Sequence, residues 1–292
     1  MKILLTGATG YIGGAILDEL IAQGMAVTAL VRSAEAAAAV RRRGADAQIV
    51  DLFDVARVRD LLSDADGAIH TASPGDATSG ALDAAVIDAV IAAFAGTGKA
   101  YVHTSGVWLW GSSAAIVDDS PLDPPAIVAW RVAQERRLLD GAVAATIVAP
   151  GIVYGEGGGI PNVIVDAPGA GSGQVSLVGD GSAHWGLVHV RDLAQLYVLA
   201  LQGNPGGRLI GVSHTASVAE LHRAAHPGAT LIPTTVEDTR SRLGTAFADA
   251  LLLDQVVGEP LRASGLGWQP NRAVLRDELS AGYRAAADVQ PA

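Results

Sequence analysis

The sequence predicts an α/β fold, a doubly wound parallel sheet carrying a smaller C-terminal lobe, and three observations lead there. Short apolar runs alternate with helical periodicities through the first 150 residues, the pattern of strands covered by helices on both faces. A glycine-rich turn, TGATGYIGG (6–14), stands between the first run and the first helix. Beyond residue 150 the alternation gives way to the glycine-rich loops GEGGGIP (155–161) and PGAGSGQ (168–174).

Each element follows from its spacing. KILLT (2–6) is a continuous apolar run ending at a glycine, which suits a buried parallel strand. Ile12, Ile16, Leu17, Leu20 and Ile21 recur at helical spacing, and Gly24 closes the segment. Further strands are expected at 25–31, 47–50, 67–71, 100–105 and 145–150, and helices at 34–43, 55–63, 79–95 and 126–140. In the second half, VSLVG, LVHV and RLIGV read as scattered strands among helices near 190–202, 217–226, 244–253 and 273–287, with DVQPA at the end expected to fray. The expected division is a nucleotide domain over 1–154 and a substrate lobe over 155–292, from which 180–202 returns to the first domain.

Composition narrows the function. Half of the 292 residues are apolar and 17% are charged, so a large core is easily buried. A net charge of −10 argues against sequence-independent binding to nucleic acid. With no cysteine, disulfide and thiolate chemistry are excluded. No apolar stretch of membrane-spanning length is free of Gly, Pro or charge. A cytoplasmic protein without a membrane or nucleic-acid partner is expected.

The glycine turn is a dinucleotide-binding fingerprint by its position between strand and helix. Gly7 permits the tight turn, Gly10 lets backbone approach a pyrophosphate, and Gly13 lets helix pack on strand. Thr9, Tyr11 and Ile12 complete the cradle, with the phosphates at the helix N-terminus. At the end of the second strand, where an NAD site needs a carboxylate, stand Arg32 and Ser33. A guanidinium pairs with a 2′-phosphate, so NADP(H) is the expected cofactor; the alternative is an ordinary surface charge. Asp51, beside Leu52, follows the third strand and either caps the adenine amine or caps the next helix. Thr71, Ala72, Thr104 and Ser105 end the fourth and fifth strands, at the edge where ligands bind.

TGATGYIGG, VDLFD, AIHTAS, VHTSGVWLWG, APGIVYG and WGLVHVRDLA together resemble the extended and atypical short-chain dehydrogenase/reductase superfamily, the group of epimerase/dehydratase-like enzymes. The resemblance covers most of the chain. It implies a Rossmann-type fold, Pro150 and Ile152 near the nicotinamide, and a possible homodimer through the helices at 79–95 and 126–140. The chain departs from the family at the catalytic groups. The usual Ser or Thr falls on Gly106, and the Tyr and Lys fall on Ile127 and Arg131 when the segment is aligned through Glu135. No shift repairs this, because the two lysines are Lys2 and Lys99 and no tyrosine has Lys four residues on.

Four residues are candidates for the missing chemistry. Arg131 can donate to the nicotinamide ribose but cannot shuttle protons; alternatively it forms a helix pair with Glu135. Tyr154 offers a phenol, or packs at the lobe hinge. Ser105 lies near the cofactor by position, with no partner base evident. His189 titrates in the useful range, or bonds backbone. His222 and His226 lack an evident third ligand, so no metal site is expected. Trp108, Trp110, Trp130 and Trp185 are expected around the substrate cleft and suggest an apolar substrate, while Arg191 and Arg208 keep open the diphosphate of a sugar nucleotide. Three readings follow. The leading one is an NADPH-dependent reductase or isomerase of a small, largely apolar carbonyl compound; the others are a sugar-nucleotide epimerase/dehydratase and a non-catalytic NADP-binding sensor.

Overall fold

In a computed structural model of the chain, whose described residues are 1–284, the first half is the expected alternation. It runs β1 (Lys2–Thr6), α1 (Tyr11–Ala22), β2 (Ala26–Val31), α2 (Ala34–Arg42), β3 (Asp46–Ile49), α3 (Val55–Ser63), β4 (Gly67–His70), α4 (Ser79–Phe94) and β5 (Ala100–Thr104). A short strand β6 (Ser113–Ile116), α5 (Trp130–Leu139) and β7 (Ala144–Pro150) follow. The second half comprises β8 (Ile152–Tyr154), α6 (Asn162–Val165), β9 (Gln174–Ser176), β10 (His184–His189), α7 (Val190–Gly203), β11 (Gly207–Gly211), β12 (His214–Ser217) and α8 (Val218–Ala225). Last come β13 (Thr230–Ile232), α9 (Val236–Leu243), α10 (Thr245–Leu251), β14 (Gln255–Val257), α11 (Leu261–Gly265) and α12 (Leu275–Ser280).

Seven strands form one parallel sheet in the order β11-β7-β5-β4-β1-β2-β3. Strand alternation divides its side chains between two cores. Ile3 and Leu5 join one with Ile16, Leu20 and Tyr197, under α1 and α7. Leu4 joins the other with Val58, Val86 and Val90, under α3 and α4. The strand order reverses between β1 and β4, which opens a crevice at their carboxyl ends.

The lobe has its own core around Ile164, Trp185, Leu187, Leu221 and Leu275, and its sheets have only two or three strands. The return to the first domain runs further than expected. RLIGV is not a lobe strand: β11 pairs with β7, Leu209 opposite Val148, as the seventh strand of the large sheet. The helix expected at 126–140 begins only at Trp130, with turns over 126–129 after Pro124-Pro125. The helix expected at 273–287 is α12, and residues from 285 onward, including DVQPA, lie outside the described residues. Among the described residues no helix is long and apolar enough to cross a membrane.

Candidate functional site

The site forms where the glycine turn, the ends of β4 and β5, and the β7–β8 connection meet. Gly7 has φ +75°, and a Cβ there would lie 2.5 Å from Thr71 Oγ1. A Cβ on Gly13 would lie 2.0 Å from the Gly7 carbonyl oxygen, so only glycine lets α1 approach this closely. Gly10 caps α1 without a side-chain acceptor, and Thr9 and Gly10 are exposed. The free N–H groups of the first helical turn therefore face outward as an anion cradle. Thr71 is committed to this turn: its hydroxyl donates to the Thr6 carbonyl at 2.8 Å, and its N–H and that of Ala72 donate to Thr6 Oγ1.

Residues for the adenosine end are open at the rim. Arg32 is exposed and makes no ion pair with a described residue. Ser33 caps α2, accepting from Ala36 N at 3.1 Å. Asp51 is exposed and accepts from Phe53 N, while the cap of α3 is Asp54. The helix-capping alternative for Asp51 is thus corrected, since the chain enters α3 three residues later. Leu52, expected beside the cofactor, is buried in the core under α3 and α4. These residues, with the cradle, fit a nicotinamide dinucleotide.

Beside the cradle is a cavity of about 280 Å³. Its walls are mainly apolar, with Ile12, Val107, Trp108, Val128, Pro150 and Ile152 among them. Ser105, Arg131 and Tyr11 also line it. The Tyr11 hydroxyl donates to the Gly155 carbonyl at 2.7 Å, and a Cβ on Gly158 would lie 2.7 Å from its ring, so this tyrosine holds the glycine loop against α1. Burial, with Tyr283 beside it, pushes the phenol far above its ordinary range.

Arg131 reaches the cavity from α5 and donates to the Thr104 carbonyl at 2.9 Å. Behind it, Asp83 of α4 collects three nitrogens: His70 Nε2 at 3.1 Å, His103 Nε2 at 3.3 Å and Arg131 Nη1 at 3.4 Å. Burial alone would raise the Asp83 carboxyl, but its contacts with His103 and His70 hold it well below the usual range. The side chains of His70, Asp83 and His103 could hold a metal by spacing alone. Hydrogen bonding argues otherwise. Thr6 Oγ1 already accepts two N–H groups, so its own hydrogen goes to His70 Nδ1 at 2.7 Å, and Nε2 keeps the ring proton for Asp83. The cluster, which nothing in the local sequence signals, satisfies a buried anion and anchors Arg131.

Glu135 forms a second buried anion. One oxygen accepts a short hydrogen bond from Ser105 Oγ, and the other accepts from Arg208 Nε at 2.6 Å. The Arg131–Glu135 helix pair is therefore not formed, since both partners are engaged elsewhere. Thr104 is likewise engaged, donating to the His70 carbonyl and accepting from Tyr197.

Several expected site residues lie elsewhere. Tyr154 is buried in the lobe, donating to the Ala273 carbonyl at 2.8 Å with its ring edge-on to His189 and His214. His189 caps α7 by accepting from Arg191 N at 3.0 Å, and its other ring nitrogen faces Glu278. Both are corrected as proton donors, because strand β8 and the start of α7 turn them into the lobe and away from the cavity. Ile127 precedes α5, and Val128 takes the cavity wall instead. Of the four tryptophans only Trp108 lines the cavity; Trp110 and Trp185 are buried, bonding Ser120 and Leu251 carbonyls, and Trp130 stacks on Arg131. Arg191 is bound by Asp18 and Glu156, and Arg208 by Glu135, so neither is a free diphosphate ligand. His226 bonds the Ile164 carbonyl, and His222 is buried in the lobe with its two ring nitrogens unpartnered among the described residues.

A family model described as NAD(P)H-binding matches residues 7–178. An uncharacterized protein of Schizosaccharomyces pombe is 28% identical over 293 residues, covering 96% of this chain and 98% of its own. The fold is similar to that of human epimerase family protein SDR39U1 (isoform 2), solved with NADPH, at 24% identity and TM-score 0.75 over 97% of this chain and 100% of that one. It is also similar to UDP-glucose-4-epimerase from Stenotrophomonas maltophila, solved with bound NAD and formylated UDP-arabinopyranose, at 19% identity and TM-score 0.74 over 96% of each chain.

Proposed function

This chain belongs to that NAD(P)H-binding family, with the fold of the epimerase-like extended short-chain dehydrogenase/reductases, and on that premise we propose that it is an NADPH-dependent oxidoreductase, a reductase or isomerase, of a small and largely apolar carbonyl compound. The observation that carries this reading is the cavity beside the glycine cradle, apolar except for Ser105, Arg131 and the partly engaged Tyr11. An apolar wall with few oriented polar groups selects for a small hydrophobic ligand presenting one polar centre.

The dinucleotide, when bound, supplies hydride at C4 of its nicotinamide. Arg32, exposed and without a carboxylate partner among the described residues, supports the 2′-phosphate form. Arg131 offers a fixed cation at the cavity, and Ser105 a hydroxyl. The sugar-nucleotide reading is weakened because Arg191 and Arg208 are already paired with carboxylates.

The test incubates the protein with NADPH deuterated at C4 and a panel of apolar aldehydes and ketones headed by benzaldehyde and cyclohexanone. Stereospecific label in an alcohol product is expected. Failure to label any product, with NADPH binding intact, overturns the proposal.

A further inference from the structure

We propose that Ser105 and Glu135 form the acid–base relay of this site, with Arg208 holding its charge, in place of the absent tyrosine and lysine. The inference rests on the oxidoreductase reading and names the groups that move its proton. Ser105 lines the cavity and donates its hydroxyl hydrogen to Oε1 of Glu135. Glu135 is fully buried, and Arg208 from β11 occupies its other oxygen. The pair thus spans from the cavity wall to a carboxylate that water does not reach.

The other hydrogen-bearing side chains recorded on the wall do not serve. Tyr11 gives its hydrogen to the Gly155 carbonyl, and its phenol is held far above the physiological range. Arg131 is permanently charged. The indole of Trp108 is a donor only. Of the two hydroxyls on this wall, Ser105 is the one that joins a carboxylate.

In the oxidation direction a substrate alcohol passes its O–H proton to Ser105 Oγ as the Ser105 proton passes to Glu135 Oε1. The carbon–hydrogen bond breaks with its electron pair leaving as hydride to the oxidised nicotinamide, so a carbonyl forms and Glu135 ends as a neutral acid. Reduction reverses the path, and once product has left Glu135 is reprotonated through the Ser105 hydroxyl, which faces the cavity. The serine never carries a full charge, which removes the need for an activated hydroxyl. The charged groups near Glu135 are Arg208 from β11 and, one turn earlier on α5, Arg131, which Asp83 of α4 and the Thr104 carbonyl hold away. Arg208 Nε donates to the carboxylate oxygen that Ser105 does not contact, which leaves Oε1 to face the serine.

The experiment combines label transfer from C4-deuterated NADPH to benzaldehyde and cyclohexanone with a readout on the cofactor-free protein. That readout is the ¹³C carboxyl resonance of Glu135, assigned by its loss in Glu135→Gln. Ser105→Ala is expected to slow transfer by about 10²–10⁴-fold, the usual worth of general acid–base catalysis, with NADPH affinity unchanged and Ser105→Thr recovering part of the rate. Arg208→Gln and Ser105→Ala are each expected to shift the Glu135 resonance. If the wild type transfers label while Ser105→Ala keeps its rate and pH profile, the relay is overturned and the oxidoreductase reading stands. A Glu135 resonance indifferent to both Ser105→Ala and Arg208→Gln also overturns the relay. A wild type that binds NADPH and transfers no label overturns both.

Discussion

Arg32 follows β2 at the dinucleotide cradle and Tyr154 ends β8 in the lobe, and their surroundings differ in kind. The Arg32 guanidinium stands exposed with no carboxylate beside it among the described residues, at the rim of the dinucleotide cradle. The Tyr154 hydroxyl is 2.8 Å from the Ala273 carbonyl inside the lobe, wedged between two histidines. The same contrast repeats around them. On the dinucleotide side, the first turn of α1, Arg32 and Asp51 keep hydrogen-bonding capacity open to solvent. In the lobe, Tyr154, His189 and Trp185 spend theirs on backbone or on each other's elements. A polar group with an internal partner stabilises the fold, whereas one left open beside a cradle is available to a ligand. Chemical type alone therefore misleads: the tyrosine and the histidine with suitable chemistry are the ones already engaged.

The largest expected effect tests the cradle. Gly13→Ala places a methyl group 2.0 Å from a backbone oxygen that cannot move aside. It should cost about 3 kcal/mol, the top of the range for overpacking, and abolish NADPH binding. Its lobe counterpart, Gly171→Ala, meets nothing within 4 Å but has φ +83°; it should cost about 1 kcal/mol and leave binding intact. Denaturant unfolding with NADPH titration compares the two, and equal effects on binding would break the contrast.

His222 sharpens the lobe side. Burial, with His226 and Arg242 nearby, pushes its imidazole down to about 4 from the ordinary 6.5. The unfolded chain takes up this proton as pH falls through 6.5, and the folded chain only near 4. Stability from this group is thus complete above 6.5 and is lost on acidification between those values, by about 3 kcal/mol. His222→Leu should flatten the unfolding free energy over that window, measured at steps from pH 7 to pH 4. An unchanged slope would mean that the lobe admits the charged ring.

Arg32→Ala should weaken NADPH by about 1.5–3 kcal/mol, the range for a charged hydrogen bond, and leave NADH nearly unchanged. Equal losses for the two cofactors would show that this rim residue is not the selector. The smallest effect belongs to Tyr154→Phe. It should lower stability by about 1 kcal/mol without changing kcat for carbonyl reduction. A fall in kcat of tenfold or more would return the phenol to the mechanism and dissolve the difference between the two sides.

Much of this was present in the chain before folding. The continuous apolar run of KILLT and the helical spacing after it place β1 and α1 within two residues of their observed ends. The glycine turn was legible because the turn itself asks for glycine: Gly7 has φ +75°, and a Cβ on Gly13 would meet the Gly7 carbonyl oxygen six residues back. The exposed position of Arg32 just beyond β2 was legible from the end of the second apolar run. The lobe was harder: its strands are three to six residues long and pair with distant partners, as β9 does with β13.

What only tertiary structure decided is who faces whom across the sheet. Ser105 gains a base because α5 packs Glu135 against the end of β5, 30 residues on, and β11 brings Arg208 from 73 residues beyond that. Asp83 gains its two imidazoles and Arg131 because α4 lies across β4 and β5. Periodicity and backbone sterics act between neighbours in the chain, so sequence determines them directly. The pairing of a buried charge is set by which elements pack together, and that is a property of the whole fold.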